Sequence, residues 1–155
     1  MGVGRFSRSK ADASVRRILV ATDRSESADH AVEWAAEMAE LYGAELLVLQ
    51  VLLAADEAEV VRAEAELERF AESMAAERGR ARVVTDPDPS SAIVAASEEE
   101  AVDVVVVGNL GMSGRKEFLL GNVPNRVSHQ SRRTVVIVNT AQPVEQRRRT
   151  RRFGR

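Results

Sequence analysis

The chain contains no cysteine and only two histidines among its 155 residues. The absence of cysteine excludes disulfides, thiolate metal sites and cysteine nucleophiles. His30 and His129 do not form an HxxxH or HExxH pattern, so we expect no metal site. No apolar run approaches the ~20 residues that a membrane-spanning helix needs. The N-terminus lacks the uninterrupted apolar core of a signal peptide, and we therefore expect a cytoplasmic protein without a transmembrane segment.

Hydrophobic residues make up 45% of the chain and charged residues 30%, which is typical of one globular domain. The net charge of −2 is unevenly distributed along the sequence. Residues 1–16 carry a net +3 and residues 141–155 a net +5, which leaves −10 on residues 17–140. An acidic body with basic ends is not typical of a dedicated nucleic-acid-binding fold. We expect a domain over residues 16–140 between two disordered tails, residues 1–15 and the basic residues 141–155.

Short apolar runs alternate with amphipathic stretches along the chain. The runs predict strands at 17–22, 44–52, 81–85, 104–107 and 134–139, and the stretches predict helices at 25–42, 56–78, 90–100 and 123–130. Ser25 or Ser27 is the candidate N-cap of the first helix, Ala28 and Tyr42 are assigned to its apolar stripe, and Gly43 is assigned to its end. Gly79 is assigned to the end of the second helix and Ile93 to the buried face of the third. The alternation predicts an α/β fold: a Rossmann-like open sandwich with a five-stranded parallel sheet and helices on both faces.

A glycine-rich segment follows the fourth strand, which is the four-valine run ending at Val107. Gly108 is followed by Gly111 after two residues and by Gly121 after nine more, and Asn122 then stands as a candidate N-cap of a short helix. Glycine permits close backbone approach, and the amides at a helix N-terminus favour anions such as phosphate. The spacing fits neither GxxxxGK[ST] nor GxGxxG, and glycines here are also common turn residues.

Asp23 ends the first strand, at the edge where open α/β sheets bind ligands. The text VATDRS around it, the glycine spacing and the segments LLGNVPNRVSH and TVVIVNT resemble the universal stress protein family, over about residues 17–140. Three features depart from the family pattern. Arg24 replaces a common glycine and could narrow the mouth of the pocket, Asn122 replaces a Ser or Thr, and Pro124 replaces another hydroxyl residue.

The resemblance implies an ATP-binding protein, with Mg²⁺ held mainly by the phosphates and other adenine nucleotides, including cyclic AMP, as further ligands. In that family the aspartate matching Asp23 contacts adenosine, and an aliphatic residue at the position of Val51 touches adenine; Val51 is equally expected as a core residue. The full set of expected nucleotide-binding residues is Thr22, Asp23, Val51, Val107, Gly108, Leu110, Gly111, Gly121, Asn122, Val123 and Pro124.

The resemblance also implies a homodimer, because the family pairs its last strand with the same strand of a second subunit. The segment from Thr134 to Asn139 is nearly all aliphatic. The unpaired backbone groups of an apolar edge strand promote aggregation unless another element covers them. No arginine finger and no base other than Asp23 is evident, so a stress-response binding module is favoured over an enzyme. Weak ATP hydrolysis stays open as an addition to this function. The alternative is a dimeric interaction scaffold of the same fold that binds no nucleotide.

Overall fold

The computed structural model describes residues 15–109 and 122–140 of the chain. The strands are β1 (Arg17–Thr22), β2 (Glu45–Leu52), β3 (Gly79–Thr85), β4 (Val104–Gly108) and β5 (Thr134–Val138). The helices are α1 (Glu26–Tyr42), α2 (Glu57–Ala75), α3 (Pro89–Glu99) and α4 (Asn122–Gln130), and a 3-10 turn (Ala76–Arg78) follows α2. Residues 1–14 and 141–155 of the two predicted tails and the segment 110–121 lie outside the described residues, whereas Val15 is described and packs against the core.

The five strands form one parallel sheet in the order β3-β2-β1-β4-β5. The predicted α/β fold with helices on both faces is therefore confirmed. Helices α1 and α2 cover one face, where Ile18, Val48 and Leu67 belong to one apolar cluster. Helices α3 and α4 cover the other face, where Ile93 and Val127 pack with the strands. The chain runs outward from β1 to β3 and then crosses back to β4, so the topological switch point lies between β1 and β4.

The connection from α2 to β3 differs from the prediction. Helix α2 ends at Ala75, and Gly79 is the first residue of β3 rather than the residue that ends the helix. A Cβ atom at position 79 would lie 2.2 Å from the carbonyl oxygen of Ala71, so only glycine lets the strand start this close to the helix. Strand β3 is longer than predicted for the same reason.

Three further boundaries or faces differ from the expected ones. Helix α3 begins at Pro89, because Asp88 acts as its N-cap and proline suits the first helical position. Asn122 is the first residue of α4 and not a residue preceding the helix. In α1, Tyr42 is 42% exposed whereas Ala39 is fully buried, since the helix turns its last residue toward solvent. Gly43 ends α1 in the left-handed conformation, as expected.

Candidate functional site

A pocket opens at the carboxyl ends of β1 and β4, at the switch point of the sheet. Its described lining comes from four parts of the chain: the β1–α1 turn, α3, the end of β4 and the start of α4. The lining residues are Ala21, Asp23, Ser25, Ala28, Ile93, Val107, Gly108 and Val123. Asp23 is the only charged residue among them, so the described part of the pocket is an apolar wall with one carboxylate.

The β1–α1 turn fixes the orientation of Asp23. The Asp23 Oδ1 atom accepts a hydrogen bond from the Ser25 amide at 2.9 Å, which is an Asx-turn, and Ser25 then caps α1 by accepting from the Ala28 amide. The second carboxylate oxygen of Asp23 has no hydrogen bond to any described residue. Among the described residues, nothing competes with a ligand for that oxygen.

Arg24 adopts a left-handed backbone conformation with φ of 65°. This conformation costs an L-residue about 1 kcal/mol and glycine almost nothing, which is a physical reason for the glycine that the family resemblance implies at this position. The Arg24 guanidinium stacks over the Phe70 ring at 3.5 Å and pairs with Asp29 at 3.0 Å. The side chain thus lies over α2, and Arg24 is not part of the described pocket lining, so the expected narrowing of the mouth is not seen there.

Two polar groups beside this turn are held by the fold itself. The Thr22 side chain is fully buried, where its hydroxyl accepts from the Arg24 amide at 2.9 Å and donates to Asp29 at 3.3 Å. Burial raises the pKa of Asp29 above its ordinary value of 3.8, while the positive charge of Arg24 and the Thr22 hydroxyl oppose the rise. The turn that presents Asp23 is consequently stabilised by a compact set of local contacts.

The end of β4 is tied to the residues that follow β5. The Asn109 amide donates to the Val138 carbonyl at 2.9 Å, and Asn109 Oδ1 accepts from both the amide (2.9 Å) and the hydroxyl (3.0 Å) of Thr140. The Thr140 side chain also fills the space beside Gly108, where a Cβ atom would lie 3.1 Å from Thr140 Cγ2. The backbone amide of Asn109 is therefore used within the fold and is not free to bind an anion.

Two arginine pairs join α3 to the α4 region. At the amino end of α3, Arg126 binds Asp88 with two hydrogen bonds of 2.9 Å. At the other end of α3, Arg133 pairs with Glu98 at 3.0 Å. Hydrogen bonds from Ser91, Arg126 and Ser90 hold the pKa of Asp88 well below its ordinary value.

The structure brings together only part of the predicted set of binding residues. Asp23, Val107, Gly108 and Val123 line the pocket. Thr22 and Val51 are buried in the protein, with exposed fractions of 0% and 5%, and their side chains lie outside the pocket lining. Asn122 is exposed and Pro124 is buried at the start of α4. Leu110, Gly111 and Gly121 fall outside the described residues, so their role stays a prediction.

The pocket also contains residues that the sequence did not assign to a site. Ser25 was expected only as a helix cap, and Ala28 and Ile93 only as core residues. Their signal lay in their position after the carboxyl ends of β1 and β3, since all strands of a parallel sheet end at the same edge. Among residues 15–109 and 122–140, no cluster of three metal-ligating side chains occurs. In the same ranges no helix is both long and apolar enough to cross a bilayer.

These features define a doubly wound α/β protein with a pocket at the switch point of its parallel sheet. The chain belongs to the universal stress protein family, because the model of that family matches residues 14–139.

Individual relatives agree with this assignment over most of their length. Universal stress protein Rv1636 of Mycobacterium tuberculosis is 32% identical over 142 residues, which cover 81% of this chain and 97% of the relative. A universal stress protein solved in complex with cAMP matches with a TM-score of 0.68 and 28% identity, over 83% of this chain and 99% of the other. Protein MJ0577 of Methanocaldococcus jannaschii matches with a TM-score of 0.62 and 26% identity, over 84% and 99% of the two chains.

Proposed function

We propose that this protein binds an adenine nucleotide, with ATP as the expected ligand, in the pocket between β1 and β4. The observation that carries the proposal is the convergence of Asp23, Gly108 and Val123 on one pocket, although they are separated by up to 100 positions in sequence. The similar protein solved with cAMP supports an adenine nucleotide as the ligand class.

The chemistry of the lining residues suits the two halves of such a ligand. The free oxygen of Asp23 can accept hydrogen bonds from ribose hydroxyls, and the apolar surface of Ile93, Val107 and Val123 can pack against the adenosine part. The phosphates would meet the glycine segment and the start of α4, where Gly111, Gly121 and the amides of Asn122 and Val123 favour negative charge. Pro124 has no amide to offer. Mg²⁺ would then be held mainly by the phosphates.

The same lining supports binding rather than catalysis. Phosphoryl transfer depends on positioned cations and on a base or a positioned water molecule. Asp23 is the only titratable group in the described lining, and one of its oxygens is already used in the turn. We therefore propose a binding module that responds to nucleotide, and not an ATP-consuming enzyme.

The chain offers a matched pair of carboxylates for the test. Asp23 and Asp86 each follow a parallel strand and each accept a hydrogen bond from the amide two residues later, at 2.9 and 2.8 Å. Only Asp23 lines the pocket. Asp23→Ala and Asp86→Ala therefore remove the same kind of turn contact, but only the first removes a ligand contact.

Calorimetric titration with ATP should separate the two variants. Asp23→Ala should weaken ATP about 10- to 100-fold, since it loses charge-assisted hydrogen bonds of about 1.5–3 kcal/mol. Asp86→Ala should lose much less affinity than Asp23→Ala, because Asp86 lies outside the pocket lining and, among the described residues, its carboxylate binds only the amide of Asp88. Equal affinity in both variants would place the ligand elsewhere, and a silent titration of the unmodified protein at millimolar ATP would favour the scaffold without ligand.

We also propose that β5 pairs with β5 of a second copy. Within the described residues β5 is hydrogen-bonded to β4 alone and forms the edge of the sheet. The side chains of its first four residues stay at least partly exposed, whereas Val138 is buried. Val136 lines an apolar groove together with Trp34 and Met38 of α1. A self-complementary edge of this kind is suited to a two-fold interface.

Light scattering should give a mass near twice the 17.0 kDa of one chain. Val136→Lys should produce a monomer, because a lysine on the edge opposes strand pairing. Val61→Lys is the control, since Val61 is 59% exposed on α2, which packs against β2 and β3. A monomeric unmodified protein would contradict the dimer without affecting the nucleotide proposal.

A further inference from the structure

The pair between Arg126 and Asp88 is the most directional contact between α4 and the rest of the fold. Arg126 Nη1 and Nη2 each donate to one oxygen of Asp88, and both distances are 2.9 Å. A two-point contact between planar groups fixes orientation as well as distance. The two residues lie 38 positions apart, so the contact is made only once α4 has docked on α3.

Asp88 is itself held in place from the α3 side. Its carboxylate accepts from the Ser90 hydroxyl at 2.8 Å and from the Ser91 hydroxyl at 2.7 Å, and its own amide donates to Asp86. Both carboxylate oxygens thus carry a bond from α3 in addition to the bond from Arg126. Arg126 is therefore bound to a fixed acceptor, and the pair can transmit the position of α3 to α4.

Helix α4 needs such a contact because it is short. Nine residues form a helix that is marginal without tertiary support. Its buried residues, Pro124 and Val127, contribute apolar contact, which stabilises docking but sets rotation about the helix axis only loosely. Arg126 lies three residues after Val123, which lines the pocket, so fixing Arg126 fixes the turn of α4 that faces the ligand.

We propose that Asp88 and Arg126 are positioning residues that aim the first amides of α4 at the phosphates of the bound nucleotide. This inference rests on the proposed function, and it goes further by assigning a role to two residues outside the pocket lining. Arg126 is assigned to act through the helix and not on the phosphates, because both of its terminal nitrogens donate to Asp88 and Arg126 is not among the described residues that line the pocket.

The test compares this pair with the one at the opposite end of α3. Asp88→Ser keeps a capping oxygen for α3 but removes the two-point acceptor, and Arg126→Gln removes the donor. Arg133→Gln breaks the Arg133–Glu98 pair, which joins the same helix to the segment after α4, and it is the control. Each variant is titrated with ATP·Mg²⁺ and, separately, with adenosine.

Asp88→Ser and Arg126→Gln should each weaken ATP about 5- to 10-fold and leave adenosine within twofold. The double variant should be no weaker than either single variant, because both substitutions remove one shared contact. Arg126→Lys should recover part of the loss, and Arg133→Gln should bind ATP like the unmodified protein. A merely structural role would lower stability without changing the ratio of ATP to adenosine affinity.

Three results would overturn the inference. Unchanged ATP affinity in Arg126→Gln would remove the positioning role while leaving the proposed nucleotide site intact. Tighter or unchanged ATP binding in Asp88→Ser, together with a loss in Arg126→Gln, would mean that Arg126 binds phosphate directly. Failure of the unmodified protein to bind either ligand would overturn the proposed function, and the inference with it.

Discussion

Gly108 packs against Thr140, so a substitution at position 108 should be destabilising and a second substitution at position 140 should relieve the effect. A Cβ atom added at this position would lie 3.1 Å from Thr140 Cγ2 and 3.9 Å from Ala31 Cβ, and ordinary van der Waals contact begins at 3.4 Å. The φ angle of Gly108 lies outside the left-handed region, so alanine meets no backbone strain there. The cost of Gly108→Ala should therefore come from the Thr140 methyl group.

The expected magnitude follows from the size of the overlap. A single overlap of a few tenths of an ångström in a packed site corresponds to the lower end of overpacking costs, about 1 kcal/mol. Thr140→Ser removes the methyl group but keeps the hydroxyl that donates to Asn109, and it should cost about 1 kcal/mol by itself. In the Thr140→Ser background, Gly108→Ala should cost close to nothing, which gives a coupling energy of about 1 kcal/mol.

Urea unfolding of the four proteins in this cycle measures these free energies. The fluorescence of Trp34, the only tryptophan in the chain, reports the transition. The slopes of the unfolding curves should be equal, so that the midpoints reflect stability alone. If Gly108→Ala costs the same with threonine and with serine at position 140, Thr140 is not the reason for glycine here.

Three other predictions concern residues that stabilise the fold outside the pocket lining. Gly79→Ala should destabilise the protein by about 3 kcal/mol in urea unfolding, because the new Cβ would lie 2.2 Å from the backbone oxygen of Ala71; a loss below ~1 kcal/mol would contradict this close approach. Asp56→Ala should cost about 1 kcal/mol, since Asp56 and Glu59 form a reciprocal capping box at the start of α2, and an unchanged midpoint would refute that role. The lowered pKa of Asp88 implies a stabilising contribution that is present above its ordinary value of 3.8 and lost as the pH falls through its folded-state value. The difference in melting temperature between the unmodified protein and Asp88→Asn should thus be full at pH 6 and shrink below pH 3.8, and a constant difference would show that the ionised carboxylate is not responsible.

Much of the fold could be predicted because its signals are local. The aliphatic runs at β1, β2 and β4 are buried on both faces of a parallel sheet, and such strands are continuous apolar segments in the sequence. Local turn chemistry likewise marked the ends of α1, at Ser25 or Ser27 and at Gly43, and the structure selects Ser25 as the N-cap. Gly79 was misassigned because glycine both ends helices and permits close approach, and only the position of α2 against β3 distinguishes the two.

In the candidate site, too, only the residues with a local sequence signal could be predicted. Asp23 and Gly108 could be placed at one edge from sequence, because parallel strands end at the same edge and each residue follows a strand. The contacts of Arg24, Thr140 and Arg126 could not, since each depends on where a helix or strand from elsewhere in the chain has docked. Arg24 in particular was expected near the mouth of the pocket, and the ring of Phe70 holds it over α2 instead.

Local sequence patterns were enough to predict the alternation of strands and helices, the resemblance to the family and the residues at the strand ends, because periodicity and turn chemistry act over a few neighbouring positions. The packing of distant segments determines which of those residues share a pocket and which side chains support its walls. The bond between Asn109 and Thr140 and the pair between Asp88 and Arg126 span 31 and 38 positions. No local pattern encodes such contacts, because they form only when the packed core brings distant segments within hydrogen-bonding distance.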